Sequence, residues 1–206
     1  MKCLAVVMQK GGVGKSTIVR ALAIAALVAG KRVGVVDMDP QGSVAKWAKR
    51  RSVPAPTVVT ATAATLPDEL DKLAKRGAEV VLIDTPPHTM AAAQVAAQHA
   101  AGVILPVKPY PDDLDALPAT VQIVRDMGRP AVLVINAAPA RAQASAQARA
   151  QLARLGLPVL PHDIVDRITH PYATAGGQTA QEYEPKGKAA AEVAAAWEFI
   201  AATFQL

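Results

Sequence analysis

The chain has 206 residues, 51% of them apolar, a formal net charge of +5 and one cysteine. The single Cys3 excludes a disulfide framework, an iron–sulfur cluster or a cysteine zinc site held by one chain. The short or interrupted apolar runs predict no membrane-spanning helix. The length predicts one large domain over residues 1–206, and the charge permits a polyanionic partner without identifying one.

Apolar strand candidates alternate with helical stretches along the whole chain. Several of them, such as Val80–Ile83 and Val132–Ile135, are unbroken apolar runs, which is typical of parallel strands buried on both faces. The expected strands lie near Cys3–Met8, Arg32–Asp37, Val58–Thr60, Val80–Asp84, Gly102–Val107, Ala131–Asn136 and Pro158–Leu160. The expected helices lie near Ser16–Ala29, Ser43–Arg51, Pro67–Lys75, Thr89–Gln98, Leu114–Met127, Gln143–Leu155 and Lys188–Phe204. This alternation predicts an α/β fold with a doubly wound, mostly parallel sheet flanked by helices. The Pro- and Gly-rich stretch His170–Gly187 is expected to be a loop with one short helical turn.

The first strand runs into a glycine-rich segment, and that segment opens a helix. Glycines let backbone N–H groups converge on an anion, and the helix N-terminus favours negative charge there. Lys15 is placed to reach the β- and γ-phosphates of a nucleotide, and the Ser16 hydroxyl to ligate Mg²⁺. The generic phosphate-loop pattern is only partly met, because Gln9 stands where a glycine is usual and Lys10 is an additional lysine. The predicted phosphate-binding residues are Lys10, Gly11, Gly12, Val13, Gly14, Lys15, Ser16 and Thr17.

Acidic residues follow the second and fourth predicted strands. Because parallel strands end along one edge, these carboxylates are expected beside the phosphate loop. We expect Asp37 to hold a water on Mg²⁺ and Asp39 to orient the attacking water. An alternative reading of the same string is a polar turn with a helix cap. Asp84 ends an apolar strand in the Walker B form, so we place its carboxylate in the Mg²⁺ water shell. The backbone after Asp84 is a candidate switch segment near the γ-phosphate.

Three strings together resemble the ParA/MinD group of P-loop ATPases with a deviant Walker A box. They are Lys10-Gly-Gly-x-Gly-Lys15-Ser/Thr, Asp37-x-Asp-Pro-Gln41 and Asp84-Thr-Pro-Pro87. The resemblance covers nearly the whole chain. Within the group it is strongest to short plasmid-type ParA partition ATPases (ParF-like), which lack an N-terminal helix-turn-helix domain. It implies that Asn136 contacts adenine, although Ala137 follows where the family often has Arg or Lys.

The resemblance implies an ATPase that uses ATP and Mg²⁺ and hydrolyses ATP slowly on its own. ATP would join a homodimer in which Lys10 of each subunit reaches the phosphates of the other. Asp113 matches an acidic position near that dimer face. The dimer would bind nucleoid DNA without sequence preference, and a centromere-binding adaptor (ParB/ParG-like) would stimulate hydrolysis during plasmid or chromosome segregation. The expected location is the cytoplasm, associated with the nucleoid in the ATP form.

Two groups of basic residues are candidates for the DNA contact. The favoured group lies in the C-terminal third, where the DNA surface of similar proteins is largely built. Its candidate residues, with Arg167 foremost, are Arg167, Arg149, Arg154, Lys186 and Lys188, accompanied by Arg141. The other group is Lys46, Lys49, Arg50 and Arg51.

Other functions share this fold. A related ATPase could position a non-DNA cargo, because the ATPase can look the same while the partner differs. A MinD-like membrane ATPase would need a basic terminal amphipathic helix, and Ala189–Leu206 contains no Lys or Arg. A P-loop ligase such as dethiobiotin synthetase would lack Lys10 in its signature role and the Asp-x-Asp-Pro-Gln string.

Overall fold

The computed structural model describes residues 1–140 and 142–206, and the side chains of residues 142–144 lie outside that description. The strands are β1 Lys2–Val6, β2 Val33–Asp37, β3 Thr57–Thr60, β4 Val80–Asp84, β5 Gly102–Val107, β6 Ala131–Ala138 and β7 Ile164–Val165. The helices are α1 Lys15–Val28, α2 Ser43–Lys49, α3 Leu66–Lys75, α4 Met90–His99, α5 Pro111–Asp126, α6 Ala142–Ala153, α7 Thr169–Ala175, α8 Ala180–Tyr183 and α9 Lys188–Phe204.

The strands form one parallel sheet in the order β3-β2-β4-β1-β5-β6-β7. Central strands β4 and β5 are buried along their whole length, as their unbroken apolar sequences predict. The register sets both Val6 of β1 and Asp37 of β2 beside Asp84 of β4. The carboxyl ends of β1, β2 and β4 therefore meet at one level of the sheet. The predicted doubly wound α/β fold is confirmed.

The sheet is covered on both faces by apolar helix surfaces. One face carries a cluster that includes Leu66, Leu117 and Leu152, and the other a cluster that includes Trp47 and Trp197. The C-terminal helix α9 contributes to the second cluster and packs against α1. It is thus a core helix, because its buried apolar residues recur every three to four positions and form one apolar face. Among the described residues, none of the helices has the length and apolarity needed to cross a membrane.

Two predicted elements differ from the structure. The strand predicted at Pro158–Leu160 is reduced to an isolated bridge between Val159 and Leu133. Pro158 has no N–H to donate to a neighbouring strand, and the last strand instead forms at Ile164–Val165. The stretch predicted as a loop with one helical turn contains two short helices, α7 and α8. Helix α8 begins with a capping box between Thr179 and Glu182, a signal that favours a helix start.

Candidate nucleotide-binding site

The glycine-rich segment leads from β1 into α1 and curves around an open space above the sheet edge. Gly14 precedes the helix with φ 90°, a left-handed conformation that favours glycine. A Cβ atom at Gly14 would lie 2.2 Å from Nδ2 of Asn136, which lies near the end of β6. The same amide nitrogen donates to the carbonyl of Val13 at 2.7 Å. The loop is therefore fastened to β6, and Oδ1 of Asn136 is left as the acceptor that an adenine amino group requires.

Lys15 stands at the first helical position and is buried. Its Nζ donates to the carbonyl of Met8 at 3.0 Å, and no carboxylate of the described residues lies within ion-pair distance. Burial lowers the pKa of Lys15, while Asp84 and Asp39 oppose that shift. A buried ammonium group paired only with a carbonyl is an unbalanced charge. Anionic phosphates would balance it.

Asp84 is fully buried, and neither carboxylate oxygen receives a hydrogen bond of normal geometry from the described residues. Burial raises the pKa of Asp84 to about 7, against the opposing effect of the nearby Ser16 hydroxyl. An unsatisfied buried carboxylate beside a hydroxyl fits a hydrated Mg²⁺ ion, which keeps several waters and few protein ligands. No group of three or more His, Cys, Asp or Glu side chains within residues 1–140 and 142–206 forms a separate metal cluster.

Asp37 lies beside Asp84 but uses its oxygens on backbone donors. Oδ2 accepts from the N–H groups of Val44 and Ala45 at 3.0 and 2.9 Å, and Oδ1 accepts from Asp39 at 3.1 Å. The carboxylate therefore caps α2, which agrees with the alternative reading of this string as a turn with a helix cap. A water held on Mg²⁺ by Asp37 stays a prediction. Asp39 is only half-buried, and its Oδ1 accepts from Gln41 at 2.9 Å.

Lys10 pairs with a carboxylate outside its own phosphate loop. Its Nζ lies 3.1 Å from Oδ2 of Asp113 on the first turn of α5, and the lysine side chain keeps 31% of its surface exposed. The resemblance implies that Lys10 contacts the phosphates of a partner subunit, but here Lys10 is held at the surface of its own subunit. To reach another molecule it has to leave Asp113.

The segment after β4 is tied to the phosphate loop. The Thr85 hydroxyl donates to the carbonyl of Val6 at 2.8 Å, and the N–H of His88 donates to the carbonyl of Gln9 at 2.9 Å. His88 has φ 56°, which is uncommon for a residue with a side chain. A displacement of the phosphate loop would therefore move His88 through this hydrogen bond, as a switch segment requires.

A cavity of about 680 Å³ opens beside the phosphate loop and reaches the ends of β6 and β7. Its size falls in the range of small-molecule sites. Besides Asn136, the walls include residues that the sequence did not single out as site residues, namely Arg20, Lys108, Asp166 and His170. They lie on four different elements or loops, so only the folded topology brings them together. Of these four residues, only Arg20 could have been found from the sequence, because it lies one helical turn after Ser16 and therefore close to the phosphate loop.

The predicted DNA residues fall into two classes. Arg167 donates to Glu192 on α9 through Nε at 3.0 Å and through a second guanidinium nitrogen. Arg149 pairs with Asp163. Arg154, Lys186 and Lys188 are exposed and form no ion pair with the described residues. Arg141 lies outside the described residues. The ranking that put Arg167 foremost overlooked its internal partner.

Comparison with known proteins places this site in a family. Residues 4–179 match the family described as the CobQ/CobB/MinD/ParA nucleotide binding domain. "Maintenance of carboxysome distribution protein A" of Gloeobacter kilaueensis is 34% identical over 97% of this chain and 92% of that protein. The protein of the same name from Halothiobacillus neapolitanus is 30% identical over 92% of this chain and 91% of that protein.

A solved structure shows the same fold. It is the septum site-determining protein MinD of Pyrococcus horikoshii, complexed with Mg-ADP. That protein superposes with a TM-score of 0.79 at 20% identity, covering 97% of this chain and 95% of the other. The chain belongs to the CobQ/CobB/MinD/ParA family of nucleotide-binding domains.

Proposed function

We propose that this chain is an ATPase of the ParA/MinD type that distributes a large non-DNA cargo, such as a carboxysome-like protein compartment, within the cell. The observation that carries the choice of cargo is the pair of carboxysome-distribution relatives, both at least 30% identical over nine-tenths of each chain. Neither of these two relatives carries a name that refers to plasmid or chromosome partition, the function first expected from the sequence. Partition becomes an arm of the test below.

The working cycle follows from the charges of the site. The phosphate loop and Lys15 hold the phosphates of ATP, and Asn136 accepts from the base. Lys10 then exchanges Asp113 for the phosphates of a second subunit, so that ATP joins two chains. Phosphoryl transfer to water depends mainly on positioning and on electrostatic stabilisation. Asp39 is the side chain placed to orient that water.

Ser16 and Asp84 are the residues that would hold hydrated Mg²⁺, which when bound neutralises negative charge on the phosphates. Asp37 keeps α2 and Asp39 in place by capping the helix. The exposed cations Arg154, Lys186 and Lys188 are available to DNA phosphates, and dimerisation would double their number. Nonspecific DNA binding would then hold the dimer on the nucleoid, along which the cargo could be distributed.

The test compares the two kinds of cargo in the host cell. A strain lacking the gene is complemented with the natural protein or with Lys15→Ala, and both compartment spacing and inheritance of resident replicons are followed. We expect compartments to cluster in the strain with Lys15→Ala while replicons are inherited normally. Evenly spaced compartments together with loss of a replicon would contradict cargo distribution and favour DNA partition.

A further inference from the structure

Arg20 is a charged side chain whose environment is incomplete. It lies on α1, one turn beyond the phosphate loop, and is half-buried. Its one hydrogen bond to a described residue joins a guanidinium nitrogen to the Thr17 hydroxyl at 3.2 Å. No carboxylate of residues 1–140 or 142–206 comes within ion-pair distance of it. Taking such a cation out of water without a partner is costly.

A second guanidinium increases that cost. Arg50, the C-terminal cap of α2, lines the same cavity as Arg20. Burial lowers the pKa of Arg20, and the charge of Arg50 acts in the same direction, whereas Asp84 and Asp37 oppose it. Two like charges facing one cavity repel each other. An anion between them would relieve the repulsion.

The position of Arg50 is fixed by the surrounding fold. Gly177, between α7 and α8, packs so closely on Arg50 that a Cβ atom there would lie 2.5 Å from its backbone carbonyl. The adjacent Arg51 donates to the carbonyl of Gly177 at 2.8 Å and pairs with Glu182 at 2.7 Å. The end of α2 is therefore held against α7 and α8. Arg50 is presented to the cavity by a braced backbone rather than by a free loop.

We propose that Arg20 and Arg50 form a second anion subsite in the nucleotide cavity, one that binds a phosphoryl group. The inference rests on the proposed nucleotide function and adds to it a ligand contact separate from Lys15. The phosphoryl group has two possible sources. It is the α-phosphate of the nucleotide on the phosphate loop, or it is a phosphate carried by the ribose of that nucleotide.

The experiment measures calorimetric dissociation constants for ADP and for ADP with an additional 3′-phosphate. The proteins are the natural chain, Arg20→Gln, Arg20→Lys and Arg50→Gln. Losing a hydrogen bond to a charged group corresponds to about a tenfold change in affinity. With the α-phosphate as the source, Arg20→Gln weakens both ligands about tenfold. With a ribose phosphate as the source, Arg20→Gln removes a preference for the 3′-phosphorylated ligand. In both cases Arg20→Lys keeps part of the affinity.

The control is Arg32→Gln, since Arg32 is an exposed arginine at the opposite edge of the sheet and pairs there with Glu79. It should bind both ligands like the natural protein. Arg50 is exposed, so Arg50→Gln provides a test that does not depend on the folding of Arg20→Gln. Affinities for both ligands within about twofold of the natural protein in Arg20→Gln and Arg50→Gln would overturn the subsite alone. Failure of the natural chain to bind ADP would overturn the nucleotide function as well.

Discussion

Two cations of the nucleotide cavity, Lys15 and Arg20, differ from two arginines of the C-terminal third, Arg149 and Arg167, in what balances their charge. Lys15 is buried and Arg20 half-buried, and neither has a carboxylate of the described residues within ion-pair distance. Arg149 and Arg167 each pair with a carboxylate of their own chain. Burial without a partner costs free energy that a ligand can return. The difference therefore indicates that Lys15 and Arg20 bind an anionic ligand, whereas Arg149 and Arg167 stabilise the fold.

The largest expected effect is that of Lys15→Ala. The variant removes the buried ammonium group that Met8 alone now holds, so we expect ATP and ADP binding to fall below detection. Calorimetry with either nucleotide measures the loss, and Lys72→Ala, which removes an exposed lysine paired with Glu69 on α3, serves as the control. Micromolar binding by Lys15→Ala would show that a buried cation without a carboxylate partner does not identify the phosphate-binding site in this molecule.

Asp39→Ala should affect hydrolysis and spare binding. If Asp39 orients the attacking water, its removal lowers the ATP turnover by ~10²-fold or more, and the ATP-bound dimer persists. Turnover and dimer lifetime are measured on the same preparation. Asp112→Ala, which removes an exposed carboxylate on α5, is the matched control. Turnover near that of the natural protein in Asp39→Ala would assign the water to another group.

Asp84 gives the nucleotide-free protein a pH-dependent stability. The folded pKa of about 7 lies above the value of about 3.9 for an unfolded chain. Between these values the folded state binds more protons, so the stabilising contribution is complete below about pH 4 and is lost as pH rises through 7. We expect the stability of Asp84→Asn relative to the natural protein to increase from pH 5 to pH 8, because only the natural protein has to keep a buried carboxylate ionised at the higher pH. Denaturant unfolding at pH 5 and pH 8 tests this, and an equal difference at both pH values would contradict it.

The smallest expected effects concern DNA. Arg154→Glu replaces an exposed cation without an ion pair among the described residues, so it should weaken DNA binding of the ATP-bound dimer several-fold on every sequence. It should also reduce the salt dependence by ~1 in log K against log salt for each phosphate that is no longer neutralised. Arg167→Glu should mainly lower the free energy of unfolding, because it sets a carboxylate against Glu192. Greater loss of DNA affinity in a folded Arg167→Glu protein would reverse this assignment.

The parts of the site carried by consecutive residues could be predicted from the sequence. The phosphate loop and Asp84 follow directly from strand ends, because a parallel sheet brings such ends to one edge. The partners of Asp37, Arg149 and Arg167 could not be predicted in this way, since they depend on how helices and loops pack on the sheet. For the same reason the walls at Arg20 and His170 emerged only from the structure.

The last strand shows the same limit. Its predicted apolar segment contains Pro158, which cannot donate to a neighbour, while Ile164–Val165 is too short to be recognised as a strand by its pattern. Its pairing with β6 depends on the neighbouring strand rather than on the two residues themselves. The segment from residue 170 to residue 187 contains α8 because the capping box at Thr179 favours a helix start there despite the nearby glycines.

The central claim is that ATP joins two chains through Lys10, and light scattering tests it most directly. The masses of the natural protein and of Lys10→Ala are measured with ADP and with a non-hydrolysable ATP analogue, after calorimetry has shown that both bind ADP. We predict that the natural protein is a monomer with ADP and a dimer with the ATP analogue. Lys10→Ala should remain a monomer with both nucleotides. A fully dimeric Lys10→Ala protein, or a natural protein whose mass ignores the nucleotide, would contradict the account.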